Sequence, residues 1–360
     1  MQVIELAGEP FDMGVDFGRQ ARDEIGELYR LRLANAIAQA REYGARAVDE
    51  EWLTAVSERC LPYVQAHHRE GFDELRGIAE GSGRPLAQIW SMNALTDLRD
   101  VAAFSELPAP SALPEGEGCS SIVVHSDAST SGPLVGQTWD LGTDNMPFVR
   151  IVRRRPRRGP STTSLTTVGC LSLIGANDQG LAVGTTNLRS SDARLGVGYL
   201  DVIHRMLASR TFEEARDSLL TAHRSGAHYF YLASADGRLS TFEGTAGQVR
   251  ETAVASGFLV HCNHMLHPEN VPLEVRGTPT ASTHHRQERL EALARASSPL
   301  GPEDLRDFFA DGEGAELAIN RKDYGGISSN GSVVVAPARG ELWAVHGPAD
   351  VGRWERFATS

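Results

Sequence analysis

A stretch rich in proline and glycine, Leu107 to Gly118, divides this 360-residue chain into two parts of different character. Proline lacks a backbone N–H and clashes with the preceding turn, so this stretch cannot continue a helix or a central strand. It is therefore predicted to form a surface loop or linker. Apolar residues follow a helical period before it, and short β-favouring runs follow it.

The part before the loop is predicted to be mainly helical. Apolar residues recur at intervals of three and four from Asp12 to about Tyr43, which predicts one long amphipathic helix. Further helices are predicted at Asp49–Tyr63, at Glu70–Ser82 and from Pro85 through Asn93, with Gly83 ending the second.

After the loop, blocks of strands alternate with blocks of helices. This order predicts an α+β fold in which helices cover sheets, rather than a strict βαβ parallel fold. The predicted strands are Ser120–His125, Leu134–Asp140, Phe148–Arg154, Leu171–Gly175, Leu181–Thr186, Tyr229–Ala233, Leu239–Glu243, Phe258–Cys262, Ser332–Ala336 and Glu341–Val345, and the predicted helices are Tyr199–Ala208, Phe212–His223, Ser282–Ala296 and Pro302–Phe309.

The charge balance excludes several kinds of partner. A formal net charge of -12 repels both a phosphate backbone and an anionic membrane. The one basic run, Arg153 to Arg158, is interpreted as a solvated turn between strands. The N-terminus lacks the basic start and apolar stretch of a secretory signal, and no later stretch approaches the ~20 apolar residues of a membrane span. We therefore expect a cytoplasmic protein without nucleic-acid or membrane partners.

Four cysteines lie far apart without a Cys-x-x-Cys pair, which argues against a disulfide framework or a structural zinc site. Cys60 and Cys170 lie in apolar patterns typical of core thiols. Cys119 instead ends the Pro/Gly loop and begins a strand, so it is the most accessible candidate nucleophile.

A cysteine nucleophile needs a base, and the residues alone leave two possibilities. One is a Cys–His protease in which His125, His261 or His264 lies beside Cys119, although none has a diagnostic spacing. The other is that Cys119 becomes the first residue of a chain, whose free α-amine accepts the thiol proton. This second possibility requires cleavage after Gly118, and glycine tolerates the twisted backbone that primes such a bond.

Imidazole and thiolate groups cluster at His261, Cys262, His264 and His267, and these are zinc-ligand types. Successive strand residues face opposite ways, so His261 and Cys262 would diverge. We therefore expect neither a metal site nor a cofactor.

Several motifs, taken together and in order, resemble the acyl-coenzyme A:6-aminopenicillanate (isopenicillin N) acyltransferase-like family, the autoproteolytic C45 peptidase group of N-terminal-nucleophile (Ntn) hydrolases. The resemblance covers most of the chain. The motifs are Gly8-Glu-Pro-Phe-Asp-Met-Gly14, Glu74-Leu-Arg-Gly-Ile-Ala-Glu-Gly-Ser-Gly83 with Asn93, Gly118-Cys-Ser-Ser-Ile-Val-Val124, Val135-Gly-Gln-Thr-Trp-Asp-Leu141, Asn177-Asp-Gln-Gly-Leu-Ala-Val-Gly-Thr-Thr-Asn187, His261-Cys-Asn-His264, Ser282-Thr-His-His-Arg286, Gly331-Ser-Val-Val-Val335 and Glu341-Leu-Trp-Ala-Val345.

The resemblance implies a four-layer αββα sandwich and self-cleavage between Gly118 and Cys119. Residues 1–118 would form a helical α-chain that stays bound to a β-chain of residues 119–360, which carries the catalytic core. The expected product is an α-chain/β-chain heterodimer made from one precursor, and the sequence leaves open whether heterodimers assemble further.

The resemblance also implies roles for single residues. Cys119 would be both the autoproteolytic residue and the mature nucleophile, with its own α-amine as general base. Asp140 would orient that amine. The Asn263 side-chain amide and the Asn187 backbone N–H would bind the tetrahedral oxyanion.

Three further residues, Gln137, Arg286 and Ser332, match positions that line the substrate pocket. This chain departs from the family pattern at two points. Gln137 stands where related bile-salt and penicillin amidases place an arginine, which puts carboxylate recognition by that arginine in doubt. Leu141 replaces an aromatic residue, which suggests a different pocket wall.

The leading interpretation is an amidohydrolase that cleaves a linear amide through a Cys119 acyl-enzyme. The runner-up is an acyltransferase that moves an acyl group from a thioester or amide donor to a small amine, because both reactions share the acyl-enzyme. The Cys–His protease and an uncleaved, non-catalytic binding protein are the remaining alternatives. The sequence identifies neither the acyl group nor the amine.

Overall fold

The computed structural model of the protein describes residues 1–42, 48–104, 118–275 and 281–359. The predicted loop therefore lies outside the described residues except for Gly118. None of the described helices is long and apolar enough to cross a lipid bilayer. The strands are β1 (Val3–Gly8), β2 (Ser121–Val124), β3 (Leu134–Gly142), β4 (Val149–Pro156), β5 (Thr162–Thr167), β6 (Ile174–Asn177), β7 (Leu181–Asn187), β8 (His228–Ser234), β9 (Leu239–Gly244), β10 (Val249–Ala253), β11 (Phe258–His261), β12 (Ile327–Ala336), β13 (Glu341–His346) and β14 (Glu355–Ala358). The α-helices are α1 (Pro10–Gln20), α2 (Arg22–Glu42), α3 (Glu50–His67), α4 (Arg69–Ser82), α5 (Leu86–Asn93), α6 (Leu95–Phe104), α7 (Tyr199–Leu207), α8 (Phe212–Leu220), α9 (Ala281–Ser297) and α10 (Pro302–Phe309).

The strands form two sheets that pack face to face. The eight-stranded sheet has the order β1-β4-β5-β6-β7-β8-β9-β10, and the six-stranded sheet has the order β11-β2-β3-β12-β13-β14. Strands β3 and β12 of the smaller sheet contact β7 and β6 of the larger one. Helices α7 and α8 cover the outer face of the larger sheet, and α9 and α10 cover the smaller sheet. This arrangement confirms the predicted α+β class and the four-layer αββα sandwich.

The central strands are buried on both faces because each lies between a helix layer and the other sheet. Every residue of β8, His228 to Ser234, is buried, and so is nearly all of β7. Such strands read as continuous apolar and β-branched runs rather than as alternating patterns. This is why the sequence predicted them well.

The N-terminal segment, residues 1–104, folds around a close crossing of α1 and α4. A Cβ added at Gly14 would lie 2.1 Å from the carbonyl oxygen of Glu74, and one at Gly77 would lie 2.1 Å from that of Phe11. Only glycine allows the two helix backbones to approach so closely. The spacing of glycines in the two N-terminal motifs is therefore a packing requirement.

Two features of this segment differ from the prediction. The single helix predicted from Asp12 to Tyr43 is interrupted at Ala21, where φ is -118° and the backbone leaves the helical region. Strand β1 was not predicted, and it pairs in parallel with β4 near position 150. Its six residues pair with a strand that is distant in sequence, so the local hydrophobic pattern does not indicate a strand. Strands β5, β10 and β14 were also not predicted; β10 and β14 lie at sheet edges, whereas β5 lies between β4 and β6.

Most of the basic run, Arg153 to Pro156, lies in strand β4, and only Arg157 and Arg158 lie in the predicted solvated turn. Its arginines face carboxylates of the N-terminal segment, and the Arg154–Glu74 pair, 2.8 Å apart, is almost fully buried. The cause is β1, which brings Glu5 beside the strand and supplies partners that the local sequence does not show. We call this set the arginine seam: it consists of the pairs Arg150–Glu24, Arg153–Glu5, Arg154–Glu74, Arg155–Glu5 and Arg157–Glu9.

Candidate active site

Cys119 lies two residues before the start of β2, next to the carboxyl-terminal part of β3. It forms no disulfide with any described cysteine and is only 6% exposed. The preceding residue, Gly118, forms a bridge with Asp140 in which each backbone N–H donates to the other carbonyl. The Asp140 N–H lies 2.8 Å from the Gly118 oxygen. The carbonyl before Cys119 is therefore held in a fixed direction.

The other side of the same peptide is held by Asn263, which follows β11. The Cys119 N–H donates to Asn263 Oδ1 over 2.7 Å. Asn263 Nδ2 in turn donates to the Asn187 carbonyl over 2.9 Å, and its backbone N–H donates to Thr283 Oγ1. These bonds bring three of the predicted site residues, Cys119, Asn263 and Asn187, into one chain of contacts.

Arg286, on α9, completes this contact set. Its Nη1 donates to the Cys119 carbonyl over 2.5 Å and to Ser120 Oγ over 3.0 Å. Its Nη2 donates to Asn263 Oδ1 over 3.0 Å. The guanidinium is 2% exposed, so it orients both residues from inside the protein.

Asp140, at the end of β3, is 1% exposed. Its Oδ1 accepts a hydrogen bond from Ser329 Oγ over 2.8 Å, and Arg321 Nε lies 3.8 Å from Oδ2. Burial raises the pKa of the Asp140 carboxyl, against the opposing effect of Arg321 and Arg286. An irregularity of β12 after Ser329 gives this strand an extra residue opposite β3, a device common beside active sites.

Arg321 links the residues around Asp140 to those around Arg286. Its backbone N–H donates to Ser329 Oγ over 3.0 Å, and its Nη2 bonds Ser282 Oγ. Ser282 Oγ also accepts from Arg286 Nε over 3.2 Å. Arg321 lies 3.8 Å from Asp140, and Arg286 acts on the same carboxyl at longer range. The two buried guanidinium groups favour an anion at Cys119, either its thiolate or an oxyanion formed beside it.

None of the three predicted pocket residues lines the pocket that contains Cys119: Arg286 is buried beside Cys119, and Gln137 and Ser332 lie elsewhere. The Gln137 side chain donates to the Thr185 carbonyl over 2.6 Å and accepts from the Thr185 N–H over 2.7 Å, so it links the two sheets. Ser332 is fully buried in β12, opposite Thr138. Neither side chain lines the pocket that contains Cys119.

That pocket encloses about 510 Å³, measured out to its open mouth, and is built by both parts of the chain. Its wall is largely apolar, and Leu141 contributes to it as the departure from the family pattern suggested. The N-terminal segment supplies Arg32, Met92, Leu95 and Thr96, and the remainder supplies Gly118, Cys119, Trp139, Asp140, Leu141, Leu173, Thr185, Asn187, Tyr199 and His228.

The histidines proposed as partners of Cys119 do not line the pocket. His125 pairs with Asp127 at the far end of β2. His264 packs on the His284 ring at 4.2 Å and bonds Thr283. His261 stacks on the Tyr229 ring at 3.9 Å.

Sequence reasoning missed several residues of the site, among them Ser329, Arg321 and His228. Ser329 lies two residues before the motif that begins at Gly331, and that motif was the sequence feature that could have indicated it. Arg321 lies in a turn with no pattern around it. His228 is the histidine that does line the pocket, where it stacks on Tyr199 at 4.4 Å.

Comparison with known proteins relates these features to a family. Residues 128–341 match the family described as Acyl-coenzyme A:6-aminopenicillanic acid acyl-transferase. The chain is 22% identical over 266 residues to the acyl-coenzyme A:6-aminopenicillanic-acid-acyltransferase 40 kDa form of Emericella nidulans, covering 73% of this chain and 69% of that protein.

Two solved structures are also similar. A mutant of conjugated bile acid hydrolase from Clostridium perfringens is 11% identical, with a TM-score of 0.45 over 67% of this chain and 97% of that one. Penicillin V acylase from Agrobacterium tumefaciens is 13% identical, with a TM-score of 0.37 over 69% and 80%.

Proposed function

The chain belongs to the acyl-coenzyme A:6-aminopenicillanic acid acyl-transferase family of enzymes, and from this premise we propose that it is a self-cleaving Ntn amidohydrolase. Cys119 is released as an N-terminal residue by cleavage after Gly118, and it then attacks a linear amide. The observation that carries the proposal is the Gly118–Cys119 peptide itself. Its carbonyl is bound by the Asp140 N–H at 2.8 Å and its N–H by Asn263 Oδ1 at 2.7 Å.

In the self-cleavage step the Cys119 thiol attacks the Gly118 carbonyl carbon. The negative charge that develops on the carbonyl oxygen is stabilised by the Asp140 N–H that already points at it. The C–N bond then breaks, the Cys119 nitrogen takes a proton, and a thioester remains. One water hydrolyses the thioester and leaves a Gly118 carboxylate, a free thiol and a free α-amine.

The new α-amine remains beside Asn263 Oδ1, which accepts one of its N–H groups. The guanidinium groups of Arg286 and Arg321 disfavour a positive charge nearby, so they favour the neutral amine that can accept the thiol proton. Asp140 limits this effect and orients the amine through its fixed carboxylate. The precursor is a zymogen because its Cys119 nitrogen is an amide and cannot act as a base.

In turnover the Cys119 sulfur attacks the substrate carbonyl, and the α-amine passes the thiol proton to the leaving amine. The oxyanion is bound by Asn263 and by the Asn187 N–H, as the family resemblance implies. Water then hydrolyses the acyl-enzyme and releases the acid. The apolar side chains of Leu141, Leu173 and Trp139 suit an apolar acyl group next to the nucleophile.

The second candidate is acyl transfer, in which a small amine replaces water in the last step. The name of the Emericella nidulans relative, an acyltransferase, favours it. Both candidates require the same Cys119 acyl-enzyme, and a product assay with and without added amines separates them.

We propose that the mature enzyme is a heterodimer of residues 1–118 and 119–360. The pairing of β1 with β4 and the arginine seam both join the two fragments and do not depend on the Gly118–Cys119 bond. We also propose a reducing, cytoplasmic location, which four buried cysteines without disulfides support.

The intact mass of freshly purified protein under denaturing conditions tests self-cleavage. We expect two fragments of the wild type that sum to the full chain plus one water and are divided at Gly118–Cys119. Cys119→Ala remains one chain, whereas Cys60→Ala, a matched change of a buried cysteine in α3, is cleaved normally. A single wild-type mass that persists on incubation would refute the proposal.

A further inference from the structure

Arg32, on α2, is a buried cation in the wall of the Cys119 pocket. It is 6% exposed, and its four hydrogen bonds all go to neutral acceptors. Within the described ranges no carboxylate lies within ion-pair distance of its guanidinium. The acceptors are Asn145 Oδ1 at 3.2 Å, the Met92 carbonyl at 2.6 Å, Cys170 Sγ at 3.3 Å and Thr167 Oγ1 at 3.1 Å.

A guanidinium has five N–H donors, so four bonds to described residues leave one N–H, on Nη2, unused by them. Burying a cation without an anion is costly, and proteins usually pair such a group. The four neutral contacts fix its position without neutralising its charge. A site of this kind is pre-organised for an anion that arrives from outside the protein.

Two more buried polar atoms in the same pocket lack a hydrogen-bond partner among the described residues. They are Thr96 Oγ1 and His228 Nδ1, on side chains that are 9% and 3% exposed. The other ring nitrogen of His228, Nε2, lies 3.5 Å from Asp97 Oδ1. Nδ1 is therefore the ring nitrogen left open to the pocket.

We propose that the N-terminal segment builds an anion subsite in the Cys119 pocket, with Arg32 as the residue that selects substrates carrying a carboxylate. Thr96 and His228 supply further polar contacts, and the apolar wall holds the rest of the molecule. The inference rests on the proposed function for the reaction itself. The residues do not fix whether the carboxylate belongs to the acyl or the amine half of the amide.

Three amides that differ only in their carboxylate test the subsite. N-hexanoylglycine carries it on the amine half, adipoyl-glycinamide carries it on the acyl half, and N-hexanoylglycinamide is neutral. We expect the cleaved wild type to favour one of the two acids over the neutral compound by about 10- to 100-fold in kcat/KM, the effect of one charge-assisted hydrogen bond. Arg32→Met should remove this preference, so that kcat/KM falls far more for the favoured acid than for the neutral amide.

Arg224→Met is the matched control. Arg224 is also buried and bonds only backbone carbonyls, but it lies away from the pocket. Its replacement should lower stability and leave the acid-to-neutral ratio unchanged. Thr96→Val removes a hydroxyl that no described residue bonds, with little risk to folding, and we expect it to lower kcat/KM for the favoured acid several-fold more than for the neutral amide.

Equal kcat/KM values for the acids and the neutral amide in the wild type would overturn the subsite and leave the proposed function intact. The subsite is also overturned if Arg32→Met and Thr96→Val both keep the preference. If the wild type hydrolyses none of the three, binding to uncleaved Cys119→Ala is measured by calorimetry. Tighter binding of an acid that depends on Arg32 supports the subsite alone, and equal binding of the acids and the neutral amide overturns it.

Discussion

The backbone N–H of Asp140 points at the carbonyl oxygen of Gly118 from 2.8 Å. One residue thus acts on both sides of the proposed reaction. Its main chain binds the peptide that self-cleavage would break, and its carboxylate belongs to the buried network next to Cys119. Because the N–H belongs to a paired strand, its direction is set by the fold and needs no rearrangement during the reaction.

Gly118→Ala should slow self-cleavage by about 10- to 100-fold, the effect of displacing reacting groups by about 1 Å. A Cβ at this position would lie 2.8 Å from Arg286 Nη2 and 3.3 Å from Asn263 Oδ1, so both side chains must move. The structure thus explains Gly118 by close approach, because its φ is not in the left-handed region. The appearance of fragments with time measures the rate, and Gly312→Ala, at an open position, is the control. Equal rates in both variants would contradict the prediction.

Ser329→Ala should lower kcat by about tenfold with a smaller change in KM, because a hydrogen bond to a carboxylate is lost. Its hydroxyl holds Asp140 Oδ1 at 2.8 Å. The neighbouring Ser328 is equally buried and its hydroxyl bonds no described residue, so Ser328→Ala controls for the loss of a buried oxygen. The acid limb of the pH–kcat profile should also shift upward in Ser329→Ala, because that bond favours the ionised carboxyl. Identical pH–kcat profiles for Ser329→Ala and Ser328→Ala would show that Ser329 has no role in the reaction.

Arg154→Met should weaken the attachment of the N-terminal fragment by about 3–5 kcal/mol, because it leaves Glu74 buried without its cation. Arg157→Met tests the outer part of the arginine seam. Its pair with Glu9 spans 3.9 Å in solvent, so we expect at most about 1 kcal/mol and a loss of even that in high salt. Denaturant titration of the cleaved enzyme measures both effects, and equal losses would show that the buried pair has no special part in holding the fragments.

The protein should lose stability as the pH falls from about 6.5 towards 4. Burial lowers the pKa of His67 to about 4 and that of His264 to about 3. At a pH below about 6.5, the pKa of histidine in the unfolded chain, these two histidines therefore bind protons in the unfolded state but not in the folded state. Asp201 has the opposite effect on stability. Burial raises its pKa to about 7, so the stability gained from binding its proton in the folded state is lost as the pH rises to that value.

Two variants check these signs by melting temperature between pH 7 and 5. His264→Gln removes one histidine that is protonated only in the unfolded chain. The melting temperature of this variant should therefore fall less on acidification than that of the wild type. Asp201→Asn removes the compensating group, so its melting temperature should fall more. Changes in the same direction for both variants would contradict the assignment.

The sequence predicted the catalytic strands well because they are buried on both faces and read as continuous apolar runs. Strands β2 and β3, which flank Cys119 and Asp140, lie where β-favouring residues follow the Pro/Gly loop. Strand β1 escaped prediction because its partner, β4, lies some 150 residues away and no local pattern encodes that pairing. Without β1, the arginines of β4 looked like an unpaired, solvated run.

The candidate site was only partly predictable for a similar reason. Cys119, Asn263 and Asn187 lie in motifs and come together through hydrogen bonds. Arg321 is placed only by the packing of distant loops, and Arg32 lies in a helix whose pattern indicates nothing but an amphipathic surface. Such residues are defined by burial and by contacts between distant segments, which a single sequence does not report.

The parallel pairing of β1 with β4 also determines how the enzyme can be made. If residues 119–360 were produced alone, β4 would be an unpaired sheet edge, and its arginines would lack their carboxylate partners. An open edge of this kind recruits other strands and promotes aggregation. Under the proposed self-cleavage, residues 1–118 would cover this edge, and translation as a single polypeptide would supply the two fragments in equal numbers.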